Sequence, residues 1–145
     1  MSYQLWTSPI TGYRRIGTKL SDVRSLFEKG ITTSAIFETL KSCPADESAF
    51  TIKETLEQRD FDVVGVMESR DGPVIGYVNR SDLNSDTIRK HMRPITPGLL
   101  VADSTSIADL FKVLCKNEFL FILNKTRVEG IVTRADLNKP PVRVY

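Results

Sequence analysis

The octapeptide Gly76-Tyr77-Val78-Asn79-Arg80-Ser81-Asp82-Leu83 returns as Gly130-Ile131-Val132-Thr133-Arg134-Ala135-Asp136-Leu137. The offset is 130 − 76 = 54 residues, and Gly, Val, Arg, Asp and Leu recur at identical positions. Repetition on this scale means one supersecondary unit built twice, because a unit so small needs its twin to bury an apolar face. It also predicts a pair of equivalent sites. Each copy ends a β-run with Gly, sets an amide or hydroxyl three residues later (Asn79, Thr133), and a carboxylate six residues later (Asp82, Asp136). Those groups suit a sugar and a phosphate.

The segments upstream fall into the same register. Ala45-Asp46-Glu47-Ser48 and Ala102-Asp103-Ser104-Thr105 are both rich in helix N-cap types. In the second copy Ile107, Leu110, Phe111 and Leu114 recur at i, i+3, i+4 and i+7, which predicts a helix with one buried face. In the first copy Ile52, Thr55, Leu56 and Arg59 keep that spacing more weakly. A β-run follows in each, over 61–66 and 119–123, rich in β-branched and aromatic residues. Then come a turn (70–73, with Asp71-Gly72, and 124–127), a return strand (74–78 and 128–132) and a new helix start at Asn79 to Asp82 and Thr133 to Asp136. Each copy therefore reads strand, helix, hairpin, helix. The expected boundaries are an arm and short helix over 1–29, a first repeat over 30–84, a linker over 85–93, and a second repeat with its tail over 94–145. The short helix is expected over 21–29, capped by Ser21 and ended by Gly30. The end of the chain, Val142-Arg143-Val144-Tyr145, is expected to be a truncation point or a tail that docks on a partner.

Composition narrows the function classes. The 20 basic and 18 acidic residues give a net charge of +2 and are well mixed, so no electrostatic case arises for nucleic acid or an anionic membrane. The basic stretch Arg89-Lys90-His91-Met92-Arg93 is read as a solvated linker, with phosphate contact as the alternative. No apolar run approaches the ~18 residues that span a bilayer, and no basic region followed by an apolar stretch opens the chain. Two cysteines, Cys43 and Cys115, without a Cys-x-x-Cys pairing, fit a reduced, cytoplasmic protein. The single histidine lies in the linker. With no metal-ligand spacing, no Gly-rich phosphate loop and no placed triad, the chain reads as a non-enzyme.

The doubled pattern Gly-hydrophobic-x-Thr/Ser-x-x-Asp-hydrophobic, closing a β-α-β-β-α unit, resembles the cystathionine-β-synthase (CBS) domain, and a tandem pair resembles a Bateman module. The resemblance covers about residues 30 to 138. It implies an α/β (α+β) fold in which two repeats pack about a pseudo-two-fold axis and leave two clefts for adenosine-containing ligands (AMP, ADP, ATP, S-adenosylmethionine, sometimes NAD). It further implies that the motif Asp accepts from the ribose hydroxyls and the motif Thr/Ser contacts phosphate. A carboxylate can accept from two vicinal hydroxyls at once, which makes the first role physically sound. Thr133 and Asp136 match in full, while Asp82 matches and Asn79 stands where Thr or Ser is usual. The adenine slot of the Asp136 cleft is expected to draw on Ile31 to Ile36 and on Phe61, Asp62 and Val63. For the Asp82 cleft, the expected lining is Thr96 and its neighbours with Phe119 to Phe121. Arg80 and Arg134 are candidates for phosphate contacts. The resemblance also implies self-association, most simply a homodimer, and an effector that the sequence does not identify.

Each candidate has a plainer alternative. Asp82 and Asp136 are also good helix-capping residues, Arg80 and Arg134 could be surface ion pairs, and Phe61 and Phe119 are expected in the core. Asp62 faces either a cleft or solvent. Two function classes follow: a sensor of an adenosine ligand, or a structural dimerisation module with vacant clefts. Nucleic-acid binding through the basic linker is a weaker third.

Overall fold

The computed structural model describes residues 3–7, 32–33 and 36–138. The helix expected over 21–29 and the C-terminal tail lie outside the described residues. In chain order the elements are β1 (Trp6–Thr7), β2 (Glu38–Thr39), β3 (Lys41–Pro44), α1 (Ala49–Arg59), β4 (Val63–Met67), β5 (Val74–Asn79), α2 (Ile88–His91), β6 (Leu100–Ala102), α3 (Ile107–Leu114), β7 (Phe119–Asn124) and β8 (Arg127–Thr133). Short 3-10 turns follow β5 (Arg80–Asp82) and β8 (Arg134–Asn138), and another, Pro97–Leu99, precedes β6. The fold is mixed α/β, with two four-stranded sheets ordered β1-β3-β4-β5 and β2-β8-β7-β6. The chain divides into two compact units: Met1–Pro9 with Thr39–Thr96, and Ile10–Glu38 with Pro97–Tyr145.

In the first unit, α1 begins where Ser48 Oγ accepts from Thr51 N at 3.4 Å, and it ends at Asp60 in the left-handed region (φ 56°). Ile52, Thr55 and Leu56 face inward and pack with Val64, Val66 and Val78 of the sheet. The extreme N-terminal segment is part of this unit. Trp6 and Thr7 pair antiparallel with Ser42 and Lys41, Tyr3 N donates to Thr55 Oγ1 at 3.0 Å, and Leu5 joins the core. Residues 85–93, read from the sequence as a linker, contain α2. They are bonded to the loop before α1 and to the first residue of that helix: Ala49 N to Asp86 O (2.8 Å), Ile88 N to Glu47 O (2.9 Å) and Arg89 N to Ala45 O (2.8 Å). Ile88 is fully buried.

The second unit repeats the order. Its helix is capped by Ser106, whose Oγ accepts from Asp109 N at 3.2 Å, one residue beyond the cluster the sequence pointed to. The shorter helix buries Ile107, Leu110 and Leu114, but a stripe that narrow leaves Phe111 42% exposed. The core adds Ile36, Phe37, Leu120, Ile122 and Val132. In both units the element after the return strand is a 3-10 turn, where the repeat pattern had suggested a longer helix. In the first unit Asn84-Ser85-Asp86 follow at once, with Asp86 at φ 75°, and these break the helical path.

The two sheets share one irregularity. Val66 pairs with Gly76 and Met67 with Val74, while Ile122 pairs with Gly130 and Leu123 with Val128, so each return strand carries a bulge beside the repeated Gly. The reason for Gly is the same in both. A Cβ on Gly130 would fall inside the Phe37 ring, and one on Gly76 would lie 2.6 Å from Met92 Cγ and 2.7 Å from Arg93 O. A crossing segment thus packs directly on the backbone of each return strand.

Candidate functional site

The motif residues stand where each return strand ends. Asn79 is paired with Val63 and Thr133 with Phe119, so the first residue of β4 or β7 lies across from the first polar residue of each motif. The same hairpin register thereby brings together Val63, Asn79, Arg80 and Asp62 in one unit, and Phe119 and Thr133 in the other. Arg80 N also donates to Asp62 O at 2.8 Å.

In the second unit Asp136 is 4% exposed. Its Oδ2 accepts from Thr133 N at 2.8 Å and lies 3.5 Å from Thr133 Oγ1. This is the return half of a capping box, in which the residue three positions into the turn reaches back to the N–H of the capping residue. The box fixes the rotamer of the carboxylate beside the Thr133 hydroxyl. Arg134 turns away from the motif. Its Nε donates to Leu114 O at 2.9 Å and its Nη2 to Cys115 O at 3.4 Å, so it satisfies carbonyls at the C-terminus of α3. Phe119 packs edge-on against Phe121, with ring centroids 5.5 Å apart and planes at 78°. Ile36, expected near the adenine slot, is fully buried in the core.

The first unit holds its motif differently. Asn79 makes no capping bond, and its Nδ2 lies 3.5 Å from Asp82 Oδ2. Asp82 Oδ2 instead accepts from Arg93, with Nε and Nη2 each 2.8 Å away. Arg80 is held by Asp62 at 2.6 Å and by Asp60 at 3.5 Å. The ion-pair reading of Arg80 therefore describes its state here, and Asp62 projects to solvent with 82% of its side chain exposed. Phe61 packs on the core, and its N–H bonds to Leu56 O at the end of α1. Thr96 is exposed.

The basic stretch is largely neutralised. Arg89 forms a two-pronged pair with Glu68 (2.6 and 2.7 Å) and reaches Asp46 at 3.2 Å, which raises the Arg89 pKa and lowers that of Glu68. Lys90 lies 3.9 Å from Asp86, and His91 Nε2 is 2.8 Å from Ser85 O. Burial, with Glu47 nearby, pushes the Cys43 thiol up to about 12, whereas Cys115 is exposed. Among the described residues no group of three or more His, Cys, Asp or Glu could hold a metal ion, and no helix is long and apolar enough to cross a membrane.

No family model and no curated protein matches the sequence. Solved structures do match. CBSX2 from Arabidopsis thaliana superposes with a TM-score of 0.67 at 18% identity, over 79% of this chain and 96% of that one. The chain folds as a tandem CBS-domain pair. A CBSX2 structure in complex with AMP gives a TM-score of 0.67 at 19% identity, over 79% of this chain and 98% of that one. The AcuB protein from Vibrio cholerae gives 0.67 at 15% identity, over 79% and 93%.

Sequence reasoning placed Arg93 in the basic stretch and missed its pairing with Asp82. A signal existed, because the segment from Thr87 to Arg93 is a second copy of Thr32 to Glu38. Thr87 bridges to Ser48 and Thr32 to Ser106, each at a helix cap. Met92 lies over Gly76 and Phe37 over Gly130. The offset is constant: 87 − 32 = 92 − 37 = 55 residues. It differs by one from that of the octapeptide and conserves only Thr, so the octapeptide register hides it.

Proposed function

We propose that this CBS pair is a regulatory module that binds an adenosine-containing nucleotide, of AMP, ADP, ATP or S-adenosylmethionine type, at the Thr133–Asp136 motif. The observation that carries this is the Asp136 carboxylate, oriented by Thr133 N in a fold that a neighbour displays in complex with AMP. A carboxylate held in one rotamer accepts from two vicinal ribose hydroxyls with little ordering left to do. The Thr133 hydroxyl stands beside it as a partner for phosphate. Regulation follows if nucleotide binds one state of the module better than another, for which 1–3 kcal/mol of coupling is typical.

The test is thermal unfolding with AMP, ADP, ATP and S-adenosylmethionine in turn. Ligand at about 100 times its Kd adds about 2.7 kcal/mol and raises Tm visibly. Asp136→Ala abolishes the shift, and Thr133→Val, which keeps the backbone bond to Asp136, weakens it. No shift with any of the four refutes the reading. Self-association as a homodimer is the second reading, supported by Phe50 on α1 (62% exposed) and Phe111 on α3. Sedimentation of the Phe50→Ser and Phe111→Ser variants tests it: a monomeric parent chain, or variants that remain dimers, would sink it.

A further inference from the structure

The segment from Tyr3 to Thr7 sits on the first unit as a short added strand. Trp6 and Thr7 pair antiparallel with Ser42 and Lys41, on the side of β3 away from β4. Side chains alternate about that line: Gln4 and Thr7 are exposed, while Leu5 is buried and joins the core that holds Cys43. Continuing the register by one residue sets Leu5 opposite Cys43, which explains why both face the same core. Both ends of the segment are tied. Tyr3 N donates to Thr55 Oγ1 at 3.0 Å, and Lys41 Nζ donates to Thr7 Oγ1 at 3.0 Å. The Arg70 guanidinium also lies 5.8 Å from the centroid of the Trp6 ring. Backbone pairing, one apolar anchor and polar contacts at each end are the components of strand-addition recognition.

Two features make this seat exchangeable. Its contacts are long-range, since Trp6 and Ser42 stand 42 − 6 = 36 positions apart, and residues 10–38 between them belong to the other unit. Its pairing is also short, two residues against the five that join β4 to β5. A short edge strand opens at a lower free energy than the core beneath it. An open copy carries both halves of the contact, the strand and an unpaired β3 edge. Two open copies satisfy each other reciprocally, which rebuilds the same contacts about a two-fold axis and closes the assembly. Whether the strand takes its own seat or a neighbour's then depends on chain concentration, measured against the effective concentration that the covalent link sets.

We propose that the β3 edge of the first unit is an interaction surface for a second copy of this chain, whose Tyr3 to Thr7 segment replaces the resident one by reciprocal strand exchange. This surface is separate from the helix faces that carry Phe50 and Phe111, and it does not depend on nucleotide.

The experiment uses the full chain carrying Thr7→Cys and Lys41→Cys in a Cys115→Ser background. Directly paired antiparallel positions lie close enough to be bridged by a disulfide. Isotopically light and heavy copies are mixed at a series of concentrations, warmed to equilibrium, oxidised mildly and digested. Mass spectrometry then reads the linkage between positions 7 and 41. Exchange gives linked peptides with one light and one heavy half, in a share that rises with chain concentration. Adding Leu5→Ser, which removes the apolar anchor, loses most of that mixed share in a chain that still melts cooperatively. Linkages that are purely light or purely heavy at every concentration overturn the proposal; if the chain then sediments as a dimer, association through the helix faces stands without exchange. A mixed share that Leu5→Ser leaves unchanged also overturns it, because it reports collision and not seating. No linkage of either kind overturns it too, because the seat itself is then not formed.

Discussion

Replacing Gly130 by Ala tests whether the repeated Gly serves packing or ligand. A Cβ built there meets three atoms of the Phe37 ring (Cγ, Cδ2, Cε2), the farthest at 2.9 Å. Phe37 is 1% exposed and belongs to the second unit's core, so the ring cannot swing into solvent. Either the crossing segment shifts or the ring leaves its rotamer. Overpacking of this kind costs about 1–3 kcal/mol, and a rigid ring puts Gly130→Ala at the upper end. At about 2–4 °C per kcal/mol for a chain near this size, Tm falls by about 6–12 °C. Gly98→Ala is the control, since its Cβ would meet nothing within 4 Å; it stays within about 0.5 kcal/mol of the parent. Urea unfolding followed by circular dichroism supplies both numbers. A Phe37→Leu partner frees space beside the new methyl, so the double variant is less destabilised than the sum of the singles by more than about 0.5 kcal/mol. Gly130→Ala as stable as Gly98→Ala, or strict additivity with Phe37→Leu, would refute the packing explanation.

Three further outcomes are expected. Asp60→Gly raises stability by about 0.5–1 kcal/mol, because Asp60 sits at φ 56° where Gly carries no Cβ penalty, and the ion pair it loses is 3.5 Å long with Asp60 94% exposed; a lowered urea midpoint contradicts this. A thiol reagent at pH 8 labels one cysteine in the native chain, Cys115, and both only after unfolding, because Cys43 is buried with its pKa pushed up to about 12; rapid labelling of Cys43 in native protein contradicts it. The same shift gives a pH dependence. The folded state keeps the Cys43 proton above 9.0, where the unfolded chain releases it, so this stabilisation is complete below 9.0 and declines towards pH 12. Cys43→Ala flattens that decline in melting curves, and the raised Tyr3 hydroxyl leaves a remainder of the same sign.

Much of the fold was legible because its signals are local. The Ile107, Leu110 and Leu114 spacing, the Ser48 cap before α1, the β-branched runs and the Asp71-Gly72 turn each act within a few residues of chain. The repeat added that whatever one copy builds the other builds too, and the shared bulge beside Gly76 and Gly130 bears that out in detail. Residues 85–93 were harder to read. Ile88 is the only aliphatic side chain among those residues, and its burial depends on bonds to Ala45, Glu47 and Ala49, some forty residues away in sequence.

The motif was legible as chemistry and not as partnership. From sequence alone Asp82 and Asp136 are the same carboxylate in the same octapeptide, and Arg80 and Arg134 the same guanidinium. Tertiary structure separates them: Arg134 finds the carbonyls ending α3, Arg80 finds Asp62, and Asp82 finds Arg93. Sequence determined which donors and acceptors each copy carries and at what spacing, because those are properties of residue type and periodicity. Which donor meets which acceptor depended on the crossing segments, which lay Met92 and the Arg93 carbonyl on Gly76 and the Phe37 ring on Gly130 because only a residue without a Cβ lets them approach so closely.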